Sequence, residues 1–332
     1  MKTFLLIPPE KLSNVSIEIP GSKSYTNRAL LMAAFTLHPV SILRPLESDD
    51  TRAMLSCLRA LGIECRESSD RIDVIGDIRS VEDREYELDA DISGTTIRFI
   101  LALTCIVPGT KILRGKPGLN ARPIKDLVDG LRQLGATIEY LEKEGFSPLK
   151  ISSSKLTPGT LTMSGATSSQ FISSILMIAP IVGGVTLKID GEQISKPYIA
   201  MTLDTMREFG VNVENKDYAE YVVPAGQAYT IAAYTVEGDI SSASYFFAIA
   251  ALTESTITVI NVNPQSAQAD MGFLNILERM GNEVVREKDS ITVHGKGVRA
   301  MTVDMEHCPD QAQTLAVLAA FAPGETVISG IR

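Results

Sequence analysis

The chain has 332 residues, 45% hydrophobic and 21% charged, a composition typical of a globular protein long enough for two domains. Its formal net charge of −9 argues against a role in binding nucleic acid or an anionic membrane surface. An acidic chain that binds an anion must do so in a local basic pocket, so any cluster of Lys and Arg is informative here.

The apolar segments of the chain are short. The N-terminal segment, residues 1–10, contains too short an apolar run for a signal peptide. The two longest apolar stretches, 99–107 and 171–182, fall short of the roughly 18 residues that a membrane-spanning helix needs. We therefore expect two buried helices there and no association with a membrane.

The first candidate site is the stretch Gly21-Ser22-Lys23-Ser24-Tyr25-Thr26-Asn27-Arg28. It places two cations and four hydroxyl groups directly before an apolar helical run, 29–35. Ser and Thr favour helix N-termini, where unpaired N–H groups and the helix dipole attract anions. A loop residue Lys23 and a first-turn residue Arg28 could converge on one ligand, although a capped helix with solvated cations fits the same residues.

One pattern recurs four times along the chain: a helical segment ends in a glycine, and two alternating strands with a polar turn between them follow. The glycines are Gly62, Gly135, Gly210 and Gly281, at intervals of 71 to 75 residues. Each is expected to stop its helix in the left-handed conformation. Repeats of this length are whole supersecondary units, so the sequence predicts an α/β fold with mixed sheets. A fifth glycine would fall beyond Arg332, and we interpret the strand-like end of the chain as a truncation.

Three further hydroxyl-rich segments precede apolar helices. They are 91–98, 165–170 and 241–245. Gly94, in the first of them, would let a ligand approach the backbone closely. Each segment also fits an ordinary N-cap. This alternative is strongest for the third segment, 241–245, which fits a cap that recurs with the repeat. Taken with Lys23, Arg28 and Arg122, the four segments indicate a shared pocket for a polyanion between repeats.

Prolines restrict polar residues near three predicted helix starts. Pro123 holds Arg122 in an extended conformation, and a guanidinium fork suits carboxylate or phosphate. The sequence Ser195-Lys196-Pro197-Tyr198 repeats the arrangement. Asp310 follows a proline and precedes the apolar run 314–321, so it is either a general base or a plain N-cap.

The four cysteines and three histidines show no spacing typical of a metal site. His307-Cys308 is the only adjacent pair, and two neighbours in sequence do not form a site. We expect no metal, no cofactor, free thiols and a cytoplasmic protein.

Together these motifs resemble those of the 5-enolpyruvylshikimate-3-phosphate synthase family, in family order and spacing over essentially the whole chain. The resemblance is carried by Gly21-Ser22-Lys23-Ser24 with Asn27-Arg28-Ala29-Leu30, Ser93-Gly94-Thr95-Thr96 with Arg98, Arg122-Pro123-Ile124, Ser168-Ser169-Gln170-Phe171, Ser195-Lys196-Pro197-Tyr198-Ile199 and Gly238-Asp239-Ile240-Ser241-Ser242-Ala243-Ser244-Tyr245. It implies an enolpyruvyl transferase-like α/β fold, an inside-out α/β barrel of two domains, each of three βαβαββ units. The active site would lie in the cleft between them. Residues 21–238 would form a complete domain, and residues 1–20 plus 239–332 an incomplete one.

The resemblance implies transfer of the enolpyruvyl group of phosphoenolpyruvate to the 5-hydroxyl of shikimate 3-phosphate, with release of phosphate, in the shikimate pathway to aromatic amino acids. The implied shikimate 3-phosphate ligands are Lys23, Ser24, Arg28, Ser168, Ser169, Gln170, Ser195, Tyr198 and Asp310. The implied phosphoenolpyruvate ligands are Lys23, Gly94, Arg122 and Gln170. Asp310 would take the proton from the 5-hydroxyl, and Lys23 would be the second catalytic residue.

The chain departs from the family pattern at three places. Ile92 stands where Asn is usual, Gly118 stands where some members have Arg, and the segment that supplies further site residues in the family would follow Arg332. We therefore expect the chain alone to be inactive or weakly active: either a separate C-terminal polypeptide completes it, or it is a fragment. Gly94 is retained, which implies sensitivity to glyphosate, a competitor of phosphoenolpyruvate.

Two other functions remain open from the sequence. One is a non-catalytic module that captures shikimate 3-phosphate and needs a complementing piece for chemistry. The other is the sister transferase that acts on UDP-N-acetylglucosamine. Its loop carries a reactive cysteine, and no cysteine of this chain lies in a suitable glycine-rich loop.

Overall fold

The protein is described by a computed structural model that covers residues 14–152 and 155–331. The N-terminal segment considered above, residues 1–10, lies outside these residues. Two compact units divide the chain: a smaller unit of Met1–Pro20 and Glu237–Arg332, and a larger unit of Gly21–Val236. The division expected from the resemblance falls after Gly238.

The helices and strands follow one another in the order of the predicted repeats. The helices are α1 (Lys23–Ala33), α2 (Asp49–Ala60), α3 (Gly94–Thr104), α4 (Pro117–Asn120), α5 (Lys125–Gln133), α6 (Ser169–Val182), α7 (Lys196–Glu208), α8 (Ile240–Thr253), α9 (Gly272–Arg279) and α10 (Ala312–Phe321). The strands are β1 (Val15–Glu18), β2 (Val40–Leu43), β3 (Cys65–Ser68), β4 (Arg71–Val74), β5 (Glu85–Asp89), β6 (Thr110–Arg114), β7 (Ile138–Tyr140), β8 (Leu149–Ile151), β9 (Gly159–Ser164), β10 (Val185–Asp190), β11 (Glu214–Lys216), β12 (Glu220–Val223), β13 (Ala233–Thr235), β14 (Thr256–Ile260), β15 (Glu283–Glu287), β16 (Ser290–His294), β17 (Thr302–Asp304) and β18 (Val327–Ser329).

Four sheets share one topology. Their strand orders are β13-β2-β4-β3, β5-β6-β8-β7 and β9-β10-β12-β11 in the larger unit, and β1-β14-β16-β15 in the smaller one. In each sheet the first pair is parallel and the other pairs are antiparallel. The segment β9 to β12 runs β-α-β-α-β-β, and β5 to β8 follows the same order with the short helix α4 inserted before α5, which confirms the predicted repeat. A separate parallel pair, β17-β18, belongs to the smaller unit.

The four repeat glycines end helices as predicted. Gly62, Gly135, Gly210 and Gly281 have φ angles of +88°, +96°, +90° and +110°, in the left-handed region that a Cβ disfavours. An antiparallel strand pair follows each glycine: β3-β4, β7-β8, β11-β12 and β15-β16. In each repeat, a single glycine thus determines where the helix ends and the antiparallel strand pair begins.

The two long apolar stretches form buried helices, as predicted. Residues 99–103 in α3 and 175–179 in α6 are almost completely buried in the larger unit. In the smaller unit, α8, α9 and α10 supply Phe247, Leu274 and Leu315 to a core shared with the sheet residue Val293. None of the helices within the described ranges is both long and apolar enough to cross a membrane.

Two predicted helix starts are wrong. Helix α1 begins at Lys23, before the apolar run, so Lys23 is not a loop residue and Arg28 lies in the second turn. Helix α8 begins at Ile240 with Asp239 as its N-cap, so the hydroxyl groups of 241–245 lie inside the helix. In both cases the polar residues that precede the apolar run belong to the helix. Packing of the helix against the rest of its unit, rather than hydrophobicity alone, sets the length of the helix.

Candidate active site

Three helices of the larger unit begin with hydroxyl-bearing residues. At α3, Ser93 Oγ accepts a hydrogen bond of 3.1 Å from the N–H of Thr96. At α6, Ser168 Oγ accepts one of 3.3 Å from the N–H of Gln170. At α1, the preceding residue Ser22 makes no side-chain cap. These helix ends present N–H groups and the positive end of the dipole, which favour an anion.

Arg28 joins α1 to α7. Its Nη1 donates to the carbonyl of Ser24 at 2.9 Å, Nη2 to the carbonyl of Tyr198 at 2.9 Å, and Nε to Thr202 Oγ1 at 2.7 Å. Its guanidinium also lies over the ring of Phe99 in α3, 5.6 Å from the ring centroid. The predicted site residues Ser24, Arg28 and Tyr198 are therefore in direct contact.

The charge of Arg28 is buried and not neutralised. The side chain is 2% exposed, and within the described part of the chain it forms no ion pair. Burial lowers the pKa of Arg28 to about 10, partly opposed by nearby tyrosines. A buried cation bonded only to neutral oxygens is costly unless an anion joins it.

A second group surrounds the first residue of α3. A Cβ built on Gly94 would lie 3.1 Å from Arg98 Nη1 and 3.2 Å from Arg122 Nη1. Both guanidiniums therefore approach the same backbone position, and neither has an ion pair among the residues described. The pKa of Arg98 is lowered to about 10, first by burial and then by the charge of Arg122.

Arg122 lies in the loop between α4 and α5. Helix α5 begins at Lys125, two residues after Pro123, so the proline precedes the helix rather than opening it. The side chain of Arg122 is exposed, and its backbone N–H donates to the carbonyl of Leu119 at 2.9 Å. The loop therefore holds the Arg122 backbone while its guanidinium reaches α3.

The side chain of Gln170 joins α6 to this second group. Its Oε1 accepts a hydrogen bond from Arg98 Nη1, and its Nε2 donates to Thr95 Oγ1 at 3.3 Å. Ser169, beside it in the first turn of α6, is 6% exposed. Gly94, Arg122 and Gln170 are thus brought together, with Arg98 at their centre.

Helix α7 begins in an unusual backbone conformation. Ser195, its N-cap residue, has φ +54° and ψ +37°, and its side chain makes no cap hydrogen bond. A non-glycine residue in this region costs free energy and is common at functional sites. Ser195 and Lys23 are exposed at the starts of their helices.

Asp310 belongs to the smaller unit. It lies in a short 3-10 turn, Pro309–Gln311, and is exposed. The N-cap of α10 is Gln311, so the interpretation of Asp310 as a plain N-cap is wrong. Nearby Asp270 is 5% exposed and accepts a hydrogen bond from Ser241 Oγ; burial raises its pKa, and Asp310 and Asp239 raise it further.

Three residues near the site were not assigned a role from the sequence. Ser173 and Thr202 share a 2.8 Å hydrogen bond that joins α6 to α7 behind Arg28. Arg98 belongs to the motif Ser93-Gly94-Thr95-Thr96 with Arg98, but the sequence indicated no role for its side chain. A polar residue one turn after Tyr198 on the same helix face is a signal that could have indicated Thr202.

The described residues contain no group of three or more His, Cys, Asp and Glu arranged to hold a metal ion. All four cysteines are buried, and no disulfide joins them. Burial raises the pKa of Cys57 to about 12 and that of Cys65 to about 11. These thiols are therefore poor nucleophiles and poor ligands.

The chain is similar in sequence to enzymes of one family. The family model described as EPSP synthase (3-phosphoshikimate 1-carboxyvinyltransferase) matches residues 8–332. A 3-phosphoshikimate 1-carboxyvinyltransferase of Vibrio atlanticus is 42% identical over 337 aligned positions, covering 100% of this chain and 79% of that protein. One of Colwellia psychrerythraea is 44% identical, with the same two coverages.

Solved structures share the fold. An EPSP synthase from Acinetobacter baumannii superposes with a TM-score of 0.81 at 21% identity, covering 97% of this chain and 74% of that one. The enolpyruvyl transferase NikO from Streptomyces tendae has a TM-score of 0.70 at 18% identity, covering 96% and 75%. These similarities confirm the predicted fold class. They do not support a separate C-terminal polypeptide.

Proposed function

The chain belongs to the EPSP synthase family, the 3-phosphoshikimate 1-carboxyvinyltransferases, and from this premise we propose which of its residues carry the reaction. The chain transfers the enolpyruvyl group of phosphoenolpyruvate to the 5-hydroxyl of shikimate 3-phosphate and releases phosphate. The UDP-N-acetylglucosamine transferase and the non-catalytic module are not favoured, because relatives that are 41% to 44% identical are named 3-phosphoshikimate 1-carboxyvinyltransferase.

One observation supports the proposal most directly. Arg28 is a buried guanidinium whose hydrogen bonds to the described residues end on neutral oxygens, in the second turn of a helix whose N-terminus favours anions. A phosphate that joins it would supply the missing negative charge through charge-assisted hydrogen bonds. The proposed anion is the phosphate-bearing substrate, shikimate 3-phosphate.

The proposed ligands of shikimate 3-phosphate come from three helices and one turn. They are Lys23, Ser24 and Arg28 in α1, Ser168, Ser169 and Gln170 at α6, Ser195 and Tyr198 at α7, and Asp310 in the smaller unit. Hydroxyl and amide groups select the sugar-like ring through hydrogen bonds, while the cations supply most of the attraction to phosphate.

The proposed ligands of phosphoenolpyruvate are Lys23, Gly94, Arg122 and Gln170. Gly94 carries no side chain between the two guanidiniums, so an anion can reach both and the N–H groups of α3. We also propose that glyphosate, itself an anion, competes at this position.

The chemistry needs three proton transfers and a stabilised leaving group. Asp310 removes the proton of the 5-hydroxyl as its oxygen forms a bond to C2 of phosphoenolpyruvate, and a proton adds to the methylene carbon C3. In the resulting tetrahedral intermediate, C3 loses a proton and the C2–O bond to phosphate breaks, which restores the double bond. Lys23 and the arginines stabilise the charge that collects on phosphate.

The function is tested with the purified chain. Calorimetry should show binding of shikimate 3-phosphate, and phosphate should be released only when phosphoenolpyruvate is also present. Replacing shikimate 3-phosphate by UDP-N-acetylglucosamine should abolish both signals. Binding without phosphate release would instead identify a capture module, and the absence of both would contradict the proposed site.

We propose a cytoplasmic location, because four buried cysteines that form no disulfide with one another suit a reducing compartment. Fractionation of cells with an antibody against the chain tests this. Recovery outside the cytosolic fraction would contradict it.

A further inference from the structure

Arg98 is not among the proposed substrate ligands, yet it lies beside Gly94 and Gln170, two of the proposed phosphoenolpyruvate ligands. It stands in the second turn of α3, and its Nη1 donates to Oε1 of Gln170 at the start of α6. An arginine has donors but no acceptor, so the atom of the Gln170 amide that faces it must be the oxygen. The amide nitrogen consequently turns the other way, toward Thr95 Oγ1 at 3.3 Å.

The guanidinium of Arg98 is itself held in place. It lies over the ring of Phe171, 5.2 Å from the centroid, and Phe171 follows Gln170 in α6. Its Nε is fully buried and has no hydrogen-bond partner within the described chain. The Arg98 side chain is packed against an aromatic ring, and part of its guanidinium is buried. It therefore has little conformational freedom left to lose when a ligand binds, and its hydrogen bond to Gln170 is pre-organised.

The charge of Arg98 is compensated by Gln170 rather than by a carboxylate. Burial lowers the pKa of Arg98, and the charge of Arg122, which approaches the same position of Gly94, lowers it further. The carbonyl oxygen of Gln170 is therefore the acceptor that stabilises this guanidinium in the free protein. The same bond leaves one N–H of the amide available for a ligand.

We propose that Arg98 is the positioning residue for Gln170: it fixes the carboxamide with its oxygen toward α3, so that Nε2 is presented as a donor to bound substrate. This inference rests on the proposed function of Gln170 as a substrate ligand. Arg98 acts through Gln170 and does not itself need to touch the substrate.

A double-mutant cycle tests the proposal. The variants are Arg98→Met, Gln170→Leu and the pair combined, and the measurement is calorimetric binding of shikimate 3-phosphate. Each single substitution should weaken binding about tenfold, as expected for one charge-assisted hydrogen bond, and the double variant should be no weaker than Gln170→Leu. Arg98→Lys should recover part of the loss, because Lys keeps a charged donor for Oε1.

Arg132→Met is the matched control. Arg132 also lies over an aromatic ring, that of Tyr140 at 5.3 Å, and also donates one hydrogen bond, to the carbonyl of Ile138 at 2.6 Å. Its loss removes the same kind of packing elsewhere in the larger unit and should leave binding within about twofold. If Arg98→Met and Gln170→Leu weaken binding additively, or if Arg98→Lys binds no better than Arg98→Met, the proposal is wrong.

A second readout does not depend on the ligand. The side-chain ¹⁵N resonance of Gln170, assigned by its loss in Gln170→Leu, should move toward the position of a free glutamine in Arg98→Met and not in Arg132→Met. An unchanged resonance overturns the positioning role. If wild-type chain binds no shikimate 3-phosphate but the resonance shifts, the proposed function fails while the contact between Arg98 and Gln170 is upheld.

Discussion

Arg28 Nε donates a 2.7 Å hydrogen bond to Oγ1 of Thr202, across 174 residues of chain. Thr202 in turn shares a 2.8 Å hydrogen bond with Ser173. Helices from three parts of the chain are thus tied together at one buried guanidinium. The chain stabilises this cation with neutral oxygens and leaves its charge for a ligand.

Arg28→Met should separate binding from stability. Methionine keeps the apolar stem but supplies no donor and no charge, so affinity for shikimate 3-phosphate should fall by about 30-fold or more. Removal of a buried, unneutralised charge offsets the lost hydrogen bonds, so the free energy of unfolding should change by no more than about 1 kcal/mol. Calorimetry and urea denaturation measure the two quantities. Retained affinity, or a severe loss of stability, would contradict this account of Arg28.

Gly94→Ala should weaken the binding of phosphoenolpyruvate more than the binding of shikimate 3-phosphate. The new methyl group would lie within 3.2 Å of the ends of Arg98 and Arg122, so both guanidiniums must move. We expect affinity for phosphoenolpyruvate to fall about tenfold, because small displacements of charged groups are costly in a site of this kind. Affinity for shikimate 3-phosphate alone should stay within about twofold. An equal loss for both ligands would show that the two sets of residues are not separate.

The repeat glycines should differ in how far they tolerate alanine. Gly62→Ala should lower the free energy of unfolding by about 1 kcal/mol, the cost of a Cβ at positive φ. Gly210→Ala should cost more, since its Cβ would also lie 2.6 Å from Thr230 Oγ1. Gly159→Ala, in β9 with no atom within 4 Å of the new Cβ, is the control and should change stability little. Urea denaturation ranks the three, and a different order would refute this explanation.

Asp270→Asn should change how stability depends on pH. Burial raises the pKa of Asp270 in the folded protein, so between its ordinary and raised pKa the folded state binds more protons than the unfolded state. Wild-type stability therefore falls as pH rises through that window. Asparagine keeps an oxygen for Ser241 and has no charge, so the variant should exceed wild type in stability by more at pH 7 than at pH 4. Urea denaturation at both values tests this, and an advantage that grows in acid would contradict it.

Features set by neighbouring residues could be predicted from the sequence. The left-handed glycines, the hairpins after them and the buried helices α3 and α6 each depend on a few consecutive residues, and all were predicted. The start of α1 was not, because Lys23 and its polar neighbours are helical only as part of the packed unit. Asp239 as the cap of α8 was missed in the same way.

The sequence indicates candidate site residues but not the contacts between them. Repeated hydroxyl-rich helix starts predict which segments bind anions, and this stays a prediction. The burial of Arg28 depends on α7, and the orientation of Gln170 depends on Arg98, 72 residues earlier in the chain. Neither pairing leaves a local pattern, so only the folded chain reveals how these side chains constrain one another.

Two of the four related sheets are completed by strands distant in sequence. Strand β13 pairs with β2, and β1 pairs with β14, with Val15 opposite Ile257. During synthesis, the sheet that contains β2 therefore stays incomplete until residues 233–235 have been made. Strand β1 leaves the ribosome before every other described strand but can pair only after β14 has been made. Such long-range closure slows folding and leaves an open strand edge on the nascent chain, where chaperones would be expected to act.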